Sequence, residues 1–208
     1  MKLKKIASLM LAGIMAVSML AGCKTASNNG NGGEGEPDVT PTSTTASVLR
    51  ENLGGEARRN VTAVSNGDLD AALNSAVADY CADSTIDAVV GTFNLVDIRT
   101  WALGEAVIDD NEDSLEDLAA IDGKDVTAIE VYAIDKSVSD NWVLEKLADK
   151  INDYCNDNRL PDKSDDEEYD YDYEISASIV SVDSNDTTID QGVKFVAFSV
   201  TKLATKYV

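Results

Sequence analysis

The side chains that could do chemistry in this chain are thiols, carboxylates and tyrosines, because the 208 residues include no histidine. That excludes Ser-His-Asp and Cys-His catalysis and the common histidine-containing zinc sites. Three cysteines stand at Cys23, Cys81 and Cys155. There is no Cys-x-x-Cys, and no cationic pattern beside a thiol that would lower its pKa, so a redox pair is not indicated. Two acidic runs stand out: Asp109 to Asp117 holds six acids and no base, and Asp162 to Glu174 holds eight acids against Lys163. Carboxylate clusters can take calcium through oxygen ligands. Asp109-x-Asn111-x-Asp113 opens like an EF-hand loop but has Ser114 where glycine is required and Ala120 where the bidentate glutamate belongs. No metal or cofactor is therefore assigned. Weak divalent cation binding at Asp165, Asp166, Glu167 or Glu168 is the alternative to a solvated acidic loop.

The second acidic run carries a finer pattern. Tyr169, Tyr171 and Tyr173, followed by Ile175, Ala177 and Ile179, alternate with Asp170, Asp172, Glu174, Ser176 and Ser178. A period of two is a strand with an aromatic face and an acidic one. The three tyrosines are then either core or a ladder for a flat ligand such as a sugar. Trp101 and Trp142 are the only tryptophans. Trp142 falls in the first turn of a helix, where it either staples helix to strand or stands at a binding rim.

The N-terminus supplies an address. Lys2, Lys4 and Lys5 precede an uncharged, largely apolar run from Ile6 to Leu20, and Leu20-Ala21-Gly22-Cys23 follows at once. The run is short for a transmembrane helix, which needs about 20 residues. In this order and spacing residues 1–23 resemble the lipobox signal of bacterial lipoproteins. The resemblance implies a signal peptide over 1–22, cleavage before Cys23, and a lipidated Cys23 holding the chain at the extracellular face of the cell membrane. Two acyl chains anchor stably where one is marginal, each buried methylene contributing about 0.8 kcal/mol.

Residues 24–46 are rich in Gly, Asn, Ser, Thr and Pro and almost lack large apolar side chains. Such a segment cannot bury enough surface to offset its ordering entropy and reads as a flexible linker. About 22 residues of this kind span roughly 25 Å, and the Gly/Asn-rich tether is similar to those of Gram-positive lipoproteins. Residues 47–208 are left for an α+β domain. The net charge is −21, and losing Lys2, Lys4 and Lys5 with the signal takes it to −24. A chain this acidic does not hold a phosphate backbone by charge, so nucleic acid is not an expected partner.

Within the domain one internal match appears, at an offset of 74 residues. Ser65 to Asp83 and Ser139 to Asp157 share Leu73/Leu147, Val77/Ile151 and the strings Asp79-Tyr80-Cys81 and Asp153-Tyr154-Cys155. Both segments have helical periodicity. Flanking them, Arg58 to Val64, Ile86 to Trp101 and Leu103 to Ile108 read as strands in the first half; Val126 to Ile134, Tyr169 to Val182 and Val193 to Thr205 do so in the second. The expected fold is two tandem β-α-β-β units, over 56–108 and 126–205, packing helices on an antiparallel or mixed sheet. Cys81 and Cys155 end the two helices at equivalent positions, and an exported chain with an even pair left over suggests a disulfide. Two buried small hydrophobes are the alternative.

Functionally this reads as a non-catalytic, membrane-anchored domain meeting a protein or cell-wall polymer. The alternative is a small exported glycan hydrolase, since that chemistry needs only two carboxylates, although the sequence singles out no pair.

Overall fold

The structure is a computed structural model that describes residues 44–83, 91–109, 112–183 and 192–207. The signal segment, Cys23 and the linker as far as 43 lie outside the described residues, as do 84–90 of one expected strand, 110–111 of the first acidic run, 184–191 and 208. No helix among the described residues is long and apolar enough to cross a membrane.

The chain enters as helix α1 (Thr44–Asn52), a short 3-10 turn (Ala57–Arg59) and strand β1 (Val61–Ala63), followed by α2 (Gly67–Asp83), β2 (Val96–Asp97) and α3 (Ala102–Val107). A second 3-10 turn (Leu118–Ala120) leads to β3 (Val126–Asp135), α4 (Asp140–Asn156), β4 (Tyr169–Asp183) and β5 (Gly192–Lys206). The sheet order is β1-β4-β5-β3-β2. β4 and β5 form a hairpin with unbroken register from Tyr169 opposite Lys206 to Asp183 opposite Gly192. β3 pairs antiparallel with β5 on its other side. Thus β3 and β4 are parallel strands joined through α4, with β5 inserted between them. β1 is parallel to β4 and β2 antiparallel to β3, so the sheet is mixed.

Alternation along the strands sorts side chains onto two covered faces. One face buries Tyr132, Ile134, Tyr171, Tyr173, Ile175, Val196 and Phe198 beneath α1 and α4. The other buries Val131, Ala133, Val193, Phe195 and Ala197 beneath α2 and α3. Each long helix starts on a side-chain cap: Asn66 Oδ1 accepts from the Asp68 and Leu69 amides at 3.1 and 3.0 Å, and Ser139 Oγ accepts from the Trp142 amide at 3.3 Å. Asn158, at φ 55°, turns the chain out of α4 in the left-handed conformation.

An α+β fold on a mixed sheet is what the structure has, but its described elements do not form two β-α-β-β units. Leu103 to Ile108, expected as a strand, is mostly helix α3, and Ile86 to Trp101 contributes only the two residues of β2. The two matched helices lie on opposite faces of the sheet. The linker also ends earlier than expected, because Thr44–Ala46 already form the first turn of α1. Ala46, Leu49 and Leu53 anchor that helix in the core.

The opposite placement of the helices also corrects the candidate disulfide. Cys81 and Cys155 are free thiols, Cys81 against the α2/α3 layer and Cys155 against the α1/α4 layer. A bridge requires Cα atoms within about 7 Å, whereas here a β-sheet separates the two layers.

Candidate ligand groove

Three stretches far apart in sequence converge on one concavity. The turn before β1 contributes Glu56, Arg59 and Asn60. The end of α4 and the loop after it contribute Cys155, Asn158, Leu160 and Asp162, and the start of β4 contributes Asp170, Tyr171 and Asp172. The volume enclosed is about 380 Å³. Main-chain bonds fix the three stretches: Tyr173 N–H donates to Asn60 O at 2.7 Å, and Tyr171 N–H to Asp162 O at 2.8 Å. The Tyr173 hydroxyl adds a bond to Pro161 O at 2.8 Å. The loop after α4 is therefore stitched to the outer edge of β4, and the groove opens between that loop and the turn before β1.

Acceptors dominate the lining. Glu56 is engaged by Arg59 at 2.9 Å in an exposed ion pair of the kind that contributes little to stability. Asp170 accepts from the Tyr207 hydroxyl at 2.8 Å. Burial, helped by Glu56, pushes the Cys155 thiol up to about 11, so it stays protonated at neutral pH and is no nucleophile. An acidic, acceptor-rich groove of this kind suits a ligand bearing ammonium or hydroxyl donors.

Tyr171 borders the groove, but the tyrosines do not form an exposed ladder for a flat ligand. Tyr171 and Tyr173 are 2% and 1% exposed, because α1 and α4 cover the sheet face onto which they project. The Tyr171 hydroxyl donates to Asp122 Oδ1 at 2.8 Å and lies 3.4 Å from the Gly123 amide. Burial moves both phenols above their ordinary pKa. Tyr169 is half-buried, with Lys206 Nζ 5.6 Å from its ring centre. The acidic face of the same strand ends where α2 begins: Ser176 and Ser178 are buried, and Ser176 is bonded to Ser199 at 2.7 Å.

The acidic runs are organised by their own turns. In the second, Asp166 accepts from Ser164 Oγ and the Glu168 amide at 2.7 and 3.0 Å, which holds its carboxyl below the usual range. In the first, burial and then the neighbouring Asp109 and Asp113 raise Glu112. Among the described residues no group of three or more Cys, Asp or Glu side chains is placed to hold a metal ion. Trp101 packs half-buried against the α2/α3 layer. Trp142 lines a shallow apolar hollow of about 330 Å³ with Val138, Ser139 and Phe93, and Phe93 is 63% exposed.

Sequence reading missed Glu56, Arg59, Asn60 and Asn158, which have no local pattern and meet Asp170 only through folding. It also missed a half-buried cluster in which Lys150 Nζ reaches Glu130 at 2.6 and 2.7 Å and the Tyr132 hydroxyl at 2.9 Å, with Tyr132 donating to Glu130. Those groups satisfy one another under α4 and do not open into the groove. No protein-family model matches this chain, and neither a curated protein nor a solved structure matches it.

Proposed function

We propose that this chain is a lipid-anchored, extracellular binding domain without catalytic activity. The observation that carries the reading is the contiguous basic start, apolar run and Leu20-Ala21-Gly22-Cys23. Its partner is a protein or cell-wall polymer near the membrane, and the acceptor-rich groove suits amine or hydroxyl donors on such a partner. The match at offset 74 is read as two copies of one helix design, ending in Asp-Tyr-Cys, set on opposite faces of one sheet. Cys23→Ala should abolish lipid labelling and move the protein out of the membrane fraction. Equal membrane retention of that variant would defeat the anchor reading.

One observation favours a second reading, a glycan hydrolase. The groove is concave and places Asp162, Asp170 and Asp172 around one space. A glycosidase needs one of its two carboxyls kept protonated, commonly by an apolar wall, but this lining is mostly polar. The protein incubated with cell-wall glycan should release no new reducing ends. Release that Asp170→Asn or Asp172→Asn abolishes would establish the hydrolase instead.

A further inference from the structure

β4 is the longest strand with an incompletely used outer side. β1 pairs only with Tyr173, Glu174 and Ile175, and before them the loop after α4 occupies the edge through its bonds to Tyr169 and Tyr171. Among the described residues no strand pairs with β4 on that side beyond Ile175. The direction of the free groups follows from the ladder. Tyr171 and Tyr173 donate outward, Ile175 O accepts outward from the Val64 amide at 2.9 Å, and the register to β5 has no bulge. Odd-numbered residues therefore present amide and carbonyl to the outside as far as Ile179, Ser181 and Asp183. Ser181 and Asp183 are exposed and Ile179 is half-buried.

Soluble proteins protect such an edge with lysine, proline, a bulge or a covering element. The stretch from Ala177 to Asp183, ASIVSVD, has no lysine, no proline and no bulge. The free charge beside its near end is acidic, while Asp183 at the far end is paired with Lys136. The chain leaves β1 at Val64, and α2 begins three residues later with exposed Asp68 and Asp70 in its first turn. Leu69 of that turn belongs to the same hydrophobic cluster as Val180 and Val182, on the sheet face that α2 covers.

We propose that the outer edge of β4 from Ile179 to Asp183 is a strand-addition site for an extended, lysine- or arginine-rich segment of a partner protein. Main-chain bonds to Ile179 and Ser181 would supply affinity, while alternate basic side chains facing Asp68 and Asp70 would select the partner. A second copy of this chain is disfavoured by a net charge of −21 on each. The proposal rests on the binding-domain reading but not on the Cys23 anchor, and its test does not involve that cysteine.

The test uses the full-length chain in detergent micelles and a fluorescein-labelled nine-residue peptide alternating valine and lysine, read by anisotropy. Saturable binding is expected, and a valine–glutamate peptide should bind at least about tenfold more weakly. Ile179→Pro removes an outward amide without touching the ladder to β5, a position where an edge strand tolerates proline. It should weaken binding at least about tenfold, with only a modest fall in melting temperature from the lost packing of Ile179 against the α1/α4 layer. Methylating the amides along one edge of the peptide should cause the same loss with the protein unaltered, which keeps the test decisive if the proline variant misfolds. Binding that survives peptide methylation, equal binding of the acidic peptide, or no saturation below about 1 mM overturns the proposal. So does a wild-type dimer that Ile179→Pro converts to monomer, because the occupant would then be a second copy.

Discussion

Lys202→Met is expected to destabilise the domain by about 3 kcal/mol, a fall in Tm of roughly 6–12 °C for a domain of this size. Lys202 lies on β5 with 0% exposure, facing the α1/α4 layer between Val200 and Ala204. Its ammonium donates to the carbonyls of Leu118 and Ile121, at the end of the second 3-10 turn, and sits 4.5 Å above the Tyr171 ring. Methionine matches the volume but donates nothing, so two buried carbonyls lose their partner at about 1–3 kcal/mol each. Removing a buried charge returns part of that, which keeps the net near the middle of the range.

The pH dependence separates this account from simple loss of packing. Burial, opposed by Asp122, holds the Lys202 pKa below its ordinary value. Between the depressed and the ordinary value the unfolded chain binds more protons than the folded one, so this group raises stability as pH increases. A neutral amine still has two N–H donors for two carbonyls. The deficit of Lys202→Met relative to the parent should therefore widen as pH rises through the alkaline range. Chemical denaturation of both proteins across that range measures it, and a variant as stable as the parent would show that the carbonyls find other partners.

Lys202 also shows what in this fold was legible and what was not. The run Val193 to Thr205 reads as a strand, and the structure has one from Gly192 to Lys206. Parity then places Lys202 on the core side with Val196, Phe198 and Val200, an anomaly already visible in the sequence. Its partners come from residues 118 and 121, more than 80 positions away, and nothing local announces them. The same division holds elsewhere. β3, β4 and α4 are long and strongly periodic, so pattern alone placed them. In the first half the helix within Ser65 to Asp83 and the strand within Arg58 to Val64 were legible, whereas Ile86 to Trp101 and Leu103 to Ile108 were misjudged because the elements there are short. β2 has two residues and α3 has six, too few for a 3.6 period to separate from a 2.0 period. In LGEAVI, Leu103 and Val107 stand four apart, yet the run is apolar enough to pass for a strand. The tyrosine ladder was legible as one face of a strand. Which layer covered it was not, because that depends on α1, whose start was read as linker. The groove was illegible for the same reason as the Lys202 contacts: Glu56, Asn158 and Asp170 are joined by topology, not spacing.

The second large effect is expected at Gly104, in the middle of α3. A side chain there would meet backbone: the β-carbon would stand 2.7 Å from the Arg99 carbonyl oxygen, 2.8 Å from Arg99 Cα and closer still to the Ile98 carbonyl. Backbone cannot rotate aside as a flexible side chain can, and Ile98 is held in turn by the hydrogen bond its N–H donates to Val131 O at 2.9 Å. α3 packs this closely because its six residues bury Leu103 and Val107 against the sheet face carrying Val131 and Ala133, and only a residue without a β-carbon lets the helix approach. Gly104→Ala should therefore cost about 1–3 kcal/mol through a forced backbone shift, despite the better helix propensity of alanine, worth about 1 kcal/mol in the other direction. Gly104→Val, with two further methyl groups to place, should leave the α2/α3 layer open to proteolysis. Gly67→Ala is the matched control: it lies at the start of α2, where an added β-carbon meets nothing within 4 Å, and should be neutral or slightly stabilising. Denaturant midpoints for the two alanine variants decide the matter. Equal midpoints would mean that α3 can move off Ile98 and Arg99 without cost, and that the close approach is not what holds this layer in place.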